Sequence, residues 1–191
     1  MIRAALVLAL LAGPAGAQVM LRAADQARLD ELLDSAGAGL LRAMTLGTRG
    51  DVDRLQEALA GAPVAPIQTT LAGDWRCRMI KTGETPPLVV YAPFGCRITA
   101  DGADFRFEKL TGSQRMSGRI ALRDEGMVLT GTGFVEGTGP IAYEEFAEDF
   151  ETDGTVWPIV GIVEQVTQTR ARVLMPWPLV ESAFDVMELT R

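Results

Sequence analysis

The feature that most constrains the fold is an alternation of apolar and polar side chains that starts near Ile67 and continues through the C-terminal part of the chain. Turn signals such as Asp101-Gly102 and Asp124-Glu125-Gly126 interrupt it at short intervals. Alternation of period two is typical of half-buried strands, and short turns join antiparallel neighbours. The pattern predicts about eight strands, near 70–81, 87–100, 103–110, 114–123, 127–136, 156–168, 170–176 and 183–190.

Successive strands joined by short turns form an antiparallel meander, which either closes into a small barrel or folds into a two-sheet sandwich. Closure leaves no sheet edge exposed, so we expect a closed or nearly closed barrel-like domain over residues 67–191.

Residues 24–60 carry helical spacing instead, because leucines recur at steps of three and four residues. A Gly-Thr-Arg-Gly turn at 47–50 ends the first helical segment, and Asp51 is predicted to cap a second, shorter helix. The sequence therefore predicts an N-terminal helical segment, 18–66, and a fold that is mainly β with N-terminal helices (α+β).

Residues 1–17 have the pattern of a cleaved signal peptide. A Met-Ile-Arg start precedes a short apolar run, and Ala15-Gly16-Ala17 matches the small-x-small pattern of a signal peptidase site. We place cleavage between Ala17 and Gln18 and expect a periplasmic or secreted protein. No transmembrane segment is predicted in the mature chain, because no later stretch approaches the ~20 apolar residues that a membrane-spanning helix needs.

Charge and composition narrow the functional classes. The chain has 18 basic and 25 acidic residues, a net charge of −7, which argues against nucleic acid or an anionic membrane as partner. It has no histidine, so the Ser-His-Asp and Cys-His arrangements are excluded. We predict a protein that is not an enzyme, with no catalytic residues, no metal site and no cofactor. Only Lys81 and Lys109 are lysines among the basic residues.

The two cysteines, Cys77 and Cys96, lie on predicted neighbouring strands. Side chains alternate across a strand, so Cys77 shares an apolar face with Trp75 and Met79. Two thiols in an exported chain most often pair. We expect a Cys77–Cys96 disulfide inside the core, beside Trp75.

The stretch Gly73-Asp74-Trp75 resembles the opening motif of lipocalin-like barrels. That resemblance implies that Trp75 seals one barrel end and that an arginine of the last strand, here Arg191, packs over it. The same stretch, with Cys77 and Cys96, also resembles small exported barrel inhibitors of proteases, which join their first two strands by a disulfide.

A wider resemblance covers most of the mature chain. Its blocks include Gly73-Asp74-Trp75-Arg76-Cys77-Arg78, Pro87-Leu88-Val89-Val90-Tyr91, Cys96-Arg97-Ile98, the nine residues from Phe107 to Arg115, and Glu181-Ser182-x-x-Asp185. These blocks resemble the exported bacterial family catalogued as domain of unknown function 4893. The resemblance implies an exported location and no known activity.

The densest polar block, Thr111-Gly112-Ser113-Gln114-Arg115, has two interpretations. With Lys109 it could bind an anion or a carboxylate. Alternatively, it is a tight turn whose side chains bond their own backbone. The predicted ligand or partner contacts are Trp75, Lys109, Thr111, Ser113, Gln114, Arg115 and Arg191.

An acidic connection at 137–155 interrupts the meander, with most of its carboxylates between 144 and 153. It is either a solvated loop or a calcium site, and it lacks the ordered spacing of a calcium loop. Glu181 and Asp185, nearer the end of the chain, are expected to pair with surface arginines or to cap strand ends.

Two functions remain open. In the first, the barrel binds a small apolar or amphipathic ligand. In the second, the protein binds another protein, as a protease inhibitor or an envelope-complex accessory subunit. The size of the barrel interior discriminates between them, because a hollow barrel can hold a small ligand, whereas a filled one favours binding through the outer surface. Large residues favour a filled interior, namely Trp75, Met79, Phe105, Phe107, Met116, Ile120 and Leu129. Gly118, Gly131 and Gly133 leave room or mark bends.

Overall fold

The computed structural model describes residues 20–191, so the predicted signal peptide, 1–17, lies outside the described residues. Helices come first: α1 Ala23–Asp30, α2 Leu32–Leu46 and α3 Arg49–Leu59. The strands follow: β1 Gly73–Thr82, β2 Leu88–Val90, β3 Phe94–Asp101, β4 Asp104–Lys109, β5 Gln114–Arg123, β6 Gly126–Val135, β7 Val156–Thr167, β8 Arg170–Pro176 and β9 Phe184–Thr190. Short 3-10 turns lie at Pro66–Gln68 and Tyr143–Glu145.

The sheet closes into a barrel of eight antiparallel strands. Strands β3 to β9 pair in chain order, β3 also pairs with β1, and β9 returns to β1 with a register from Arg76↔Thr190 to Thr82↔Phe184. The ninth strand, β2, pairs with the end of β1 that β3 leaves uncovered. The prediction of a mainly β fold with N-terminal helices and a closed antiparallel barrel is confirmed.

Local boundaries differ from prediction in three places. The predicted first helical segment is two helices, α1 and α2, separated at Glu31. The predicted strand 87–100 is two strands, β2 and β3, interrupted at Pro93, which has no backbone N–H to donate. The last helix begins one turn earlier than predicted, because its N-cap is Thr48, whose hydroxyl accepts from the Asp51 N–H at 3.3 Å.

The barrel interior is packed with apolar side chains. All seven large residues predicted to point inward belong to this core or pack against it. The glycines do not leave a hollow. A Cβ on Gly133 would overlap the ring of Trp157, and one on Gly118 or Gly131 would overlap the backbone of the opposite strand. Gly118 and Gly131 therefore allow their two strands to approach closely, and the ring of Trp157 fills the space beside Gly133.

Cys77 and Cys96 form a disulfide within this core, with 5.8 Å between their Cα atoms. The register pairs Trp75 with Cys96 and Cys77 with Phe94, so the two cysteines are diagonal neighbours across β1 and β3. Both are buried, as the shared apolar face predicted.

The helices cover part of the outer barrel wall. Helices α2 and α3 pack on β1, β2, β8 and β9, where Ala43 and Leu55 meet Ile80 and Phe184. A Cβ on Gly39 would lie 2.7 Å from the Phe184 Cβ, so this glycine brings α2 close to the sheet. Within residues 20–191, none of the helices has the length and apolar character needed to cross a membrane.

A buried ionic group fixes α1 to the acidic connection. Asp25 accepts from Arg28 at 2.8 Å, from Arg22 at 3.2 Å and from the Tyr143 hydroxyl at 2.7 Å. Burial, with the Asp25 hydrogen bond, raises the pKa of Tyr143. The acidic connection is therefore attached to the barrel at its 3-10 turn and leaves most of its carboxylates exposed.

Candidate functional site

One end of the barrel is sealed by Trp75. Its indole N–H donates to the Leu71 carbonyl at 2.7 Å, and the Arg191 guanidinium lies over the ring, 4.1 Å from its centre. Arg191 also donates to the carbonyls of Thr70, Ala72 and Gln168, each at 2.8 Å. The predicted contact between Arg191 and Trp75 is present, and it closes this end with three hydrogen bonds and one cation–π contact.

The opposite end, which we call the mouth, has polar side chains on the inward face. They occupy the inward positions nearest the strand ends: Lys81 on β1, Lys109 on β4, Gln114 on β5 and Asp185 on β9. Lys81 and Asp185 are register partners. Both side chains face the barrel interior, because Lys81 is two residues from the core residue Met79 and Asp185 is two residues from the core residue Met187.

The loop between β8 and β9 adds a carboxylate to the mouth. Glu181 accepts from the Lys81 ammonium at 2.7 Å and from the Gln114 amide at 3.3 Å, and Lys81 donates to Gln114 at 3.1 Å. The Lys81 hydrogen bond holds the pKa of Glu181 below its usual value. Glu181 has a φ of 66°, a left-handed conformation that is costly for a residue with a Cβ. In this backbone conformation the Glu181 carboxylate reaches the Lys81 ammonium, and costly conformations of this kind are concentrated at functional sites.

Lys109 has a different environment, because no carboxylate in residues 20–191 forms an ion pair with it. Its ammonium donates to the carbonyls of Thr111, at 3.0 Å, and Gln114, and lies 3.9 Å from the centre of the Phe94 ring. Burial, together with the nearby positive charges of Arg115 and Lys81, lowers the pKa of Lys109 to about 8. The mouth therefore holds a cation that is solvated by dipoles but not neutralised.

Asp185 is the deepest titratable group of the mouth. It is buried and accepts from the Ser182 hydroxyl at 2.6 Å. Burial raises its pKa to about 7, against the opposing effects of Lys81 and Ser182. Of the two expectations for Glu181 and Asp185, pairing with surface arginines is wrong. The hydrogen bond from Ser182 to Asp185 does lie at the start of β9, where capping of a strand end would place it. Glu181 pairs with Lys81, and Asp185 points into the barrel because its strand phase places it inside.

Lys81, Lys109, Gln114 and Glu181 line a cavity of about 170 Å³ at the mouth. Its lining residues combine two aromatic rings, a thioether and polar groups: Met79, Lys81, Tyr91, Phe94, Lys109, Ser113, Gln114 and Glu181. Pockets that enclose a drug-sized ligand measure roughly 300–1,000 Å³, so this one accommodates one end of a ligand. The arrangement offers an apolar wall beside ammonium, hydroxyl and amide donors.

The predicted contact residues fall at four places. Lys109, Ser113 and Gln114 line the mouth. Thr111 lies behind them, where its hydroxyl accepts from the Gly95 N–H at 2.8 Å and its carbonyl accepts from Lys109. Arg115 is on the outer wall, bonded to the Gly112 carbonyl at 2.6 Å and paired with Glu136. Trp75 and Arg191 are at the sealed end.

Lys81, Glu181 and Asp185 were not predicted as site residues. The alternation that placed Trp75, Cys77 and Met79 on the inner face also places Lys81 there, so this signal was available. The acidic connection shows no metal centre. Among residues 20–191, no group of three or more cysteine or carboxylate side chains is placed to hold a metal ion.

The fold and the mouth define the class: a small closed antiparallel β-barrel with helices on its outer wall, one sealed end and a polar pocket at the other. The chain belongs to the family described as Domain of unknown function (DUF4893), whose model matches residues 17–189. The family resemblance seen in the sequence is thereby confirmed. No curated protein matches the chain.

Proposed function

We propose that this protein is a non-enzymatic binding module, and that the mouth takes the anionic end of a small amphipathic molecule. The observation that carries the proposal is the Lys109 ammonium, which lies in a partly enclosed pocket against carbonyls and an aromatic face and forms no ion pair within residues 20–191. Glu181 also lines this pocket, but its carboxylate is paired with Lys81. Burying an unpaired cation costs free energy, and an anionic ligand would offset that cost.

The other lining groups suit such a ligand. The Ser113 hydroxyl and the Gln114 amide are hydrogen-bond donors close to Lys109. Tyr91 and Phe94 form an aromatic corner, with ring centres 6.4 Å apart, that would cover an apolar segment. The barrel below Met79 is packed, which counts against a ligand inside the barrel and confines the site to the mouth. The rest of the ligand would therefore extend outward along the rim, where Tyr91 and Leu179 are exposed.

We further propose that the protein acts outside the cytoplasm, in the periplasm or as a secreted protein. The disulfide supports this location, because such bonds persist in oxidising compartments. The signal-peptide pattern of residues 1–17 supports it as well. The mass of the exported chain tests both points. A chain that begins at Gln18 and is two hydrogens lighter than its reduced form is expected, and an intact Met1 would contradict cleavage.

Binding is tested with three probes of equal chain length: octanoate, octylamine and 1-octanol. Each is titrated into the protein and followed by amide chemical shifts in NMR. Octanoate is expected to bind most tightly and to shift the amides of Ser113 and Gln114. Charge-assisted hydrogen bonds contribute roughly 1.5–3 kcal/mol, so Lys109→Met should weaken octanoate at least ~10-fold and leave octanol unchanged.

The matched control is Arg106→Met, which removes an exposed cation from the outer face of the same strand as Lys109. It should leave all three affinities unchanged. Equal binding of octanoate and octylamine, or octanoate shifts confined to the outer wall, would overturn the proposal. Native mass spectrometry of protein purified gently from its own cells adds an independent test, because a retained small anion supports the site and a retained protein contradicts it.

A further inference from the structure

Helix α2 has an apolar face that nothing in the described chain covers. Its inner side packs on the barrel through small residues, among them Ser35, Gly39 and Ala43. On its outer side, Leu33 is 84% exposed and Leu41 is 71% exposed. Surface helices normally present charged or polar residues to water, so an apolar outer stripe is typical of an interface.

The outer side of α2 has a shape suited to another helix. Two ridges run along it at four-residue steps: Leu33-Gly37-Leu41 and Asp34-Ala38-Arg42. The middle of each ridge is low, and no atom lies within 4 Å of a Cβ built on Gly37. Ridges at this spacing interlock at a crossing angle of roughly 50°, and small residues at the crossing point let two backbones approach closely.

We propose that this face binds a second copy of the chain, with the two α2 helices antiparallel and crossing at Gly37 and Ala38. A two-fold axis at that point sets Leu33 of each copy beside Leu41 of the other. The interface is isologous, which is the commonest arrangement in soluble dimers.

Charge complementarity favours this occupant and this orientation. Asp34 lies at one end of the second ridge and Arg42 at the other, both are exposed, and neither forms an ion pair within residues 20–191. An antiparallel copy brings Asp34 of each chain toward Arg42 of the other. A parallel copy would instead oppose Asp34 to Asp34 and Arg42 to Arg42, which is unfavourable.

The experiment measures the oligomeric state of the mature protein by sedimentation equilibrium up to ~100 µM, which detects dimers with micromolar Kd. A dimer is expected. Leu41→Glu should leave a folded monomer, because it places a carboxylate in the apolar contact. The control is Ile67→Glu, which adds the same charge at an apolar residue that is 91% exposed elsewhere. Its dimer should be intact.

A charge exchange tests the geometry. Asp34→Arg and Arg42→Asp should each weaken the dimer at least ~10-fold, and the double variant should restore it, because the opposed charges are attractive again. Oxidation should cross-link Gly37→Cys and leave Gly50→Cys, an equally open glycine on α3, uncoupled. A monomeric wild-type protein, a Leu41→Glu dimer or a double variant that fails to recover would each overturn the proposal.

Discussion

The Gly73 Cα and the Arg191 guanidinium are so close that a Cβ on the glycine would lie 2.7 Å from Nη1 of the arginine. Gly73 begins β1, and Arg191 follows β9 and stacks over Trp75. Two features therefore favour glycine at this position of the Gly-x-Trp motif. Its φ of 139° is unfavourable for a residue with a Cβ, and the Arg191 guanidinium occupies the space that a Cβ would need.

Gly73→Ala is expected to destabilise the protein by more than its backbone strain alone. Gly126 is the matched control, because it has a φ of 116° and no atom within 4 Å of a built Cβ. Both alanines pay for an unfavourable φ, of order 1–3 kcal/mol, and only the first displaces Arg191. Urea unfolding followed by Trp fluorescence measures both. Equal losses would show that the Arg191 contact contributes nothing.

Much of the architecture follows from alternation, which assigns each strand residue to one of two faces. It placed Trp75, Cys77 and Met79 inside and so predicted the disulfide, while closure of the barrel was predicted from the run of about eight strands and the absence of an exposed edge. Alternation does not show which end of a barrel is open, because that depends on how the strand ends align after closure. The pairing of Lys81 with Asp185 joins residues 104 positions apart, and short-range patterns carry no record of it.

The glycines show a second limit of sequence patterns. A missing side chain leaves space or permits close approach, and the choice depends on the partner strand. At Gly133 that partner is Trp157 on β7, whose ring occupies the space. The polar block at 111–115 shows the same limit, because its residues do not form one site. Ser113 faces the mouth, whereas Arg115 lies on the outer wall.

Gly133 and Trp157 should be strongly coupled. Gly133→Ala places a methyl group in the Trp157 ring and is expected to cost ~1–3 kcal/mol, the usual range for overpacking. Trp157→Phe removes the atoms that overlap, so the double variant should lose less stability than the sum of the two single variants. Denaturant unfolding of the four proteins measures this. Additive losses would mean that the ring moves aside freely.

The disulfide should contribute ~3 kcal/mol to stability, because it closes a loop with a sequence separation of 19 residues and restricts the unfolded chain. A Cys77→Ala/Cys96→Ala double variant is expected to melt well below the oxidised wild type. Reducing agent should lower the wild-type melting temperature and leave the variant unchanged. A wild-type transition that is insensitive to reduction would contradict this prediction.

Asp185 should give stability an unusual pH dependence. Its pKa is raised to about 7 in the folded protein, while an unfolded aspartate titrates near 3.8. Between pH 4 and 7 the folded state therefore holds a proton that the unfolded state releases, so this group's contribution falls as the pH rises through that window. Other carboxylates, such as Glu181 with its lowered pKa, act in the opposite direction.

Asp185→Asn isolates that contribution. Relative to the variant, the wild type should lose on the order of 1–3 kcal/mol of unfolding free energy between pH 4 and pH 7. Asp124→Asn, at an exposed turn residue, is the control and should follow the wild type. Unfolding free energies in urea at four pH values provide the comparison. Parallel curves for the wild type and Asp185→Asn would exclude a raised pKa.

The charge of Lys109 should set the pH range in which the mouth binds an anion. Its pKa of about 8 means that the ammonium is present at pH 6 and largely lost at pH 9.5. Asp185 gains negative charge over the lower part of the same range, which strengthens the trend, whereas Glu181 is ionised throughout and leaves the trend unchanged.

Octanoate affinity should therefore fall at least ~10-fold from pH 6 to pH 9.5, as the charge-assisted hydrogen bond is lost. The octanoate carboxyl group is ionised across this range, so its own titration plays no part. The affinity of 1-octanol should be nearly constant, which separates the loss of charge from any change in the apolar wall.

The positive charges of Arg115 and Lys81 also act on the Lys109 ammonium. An Arg115→Met variant should move the midpoint of the fall to higher pH, because removing a neighbouring positive charge raises the pKa of Lys109. An octanoate affinity independent of pH would mean that Lys109 does not contact the ligand.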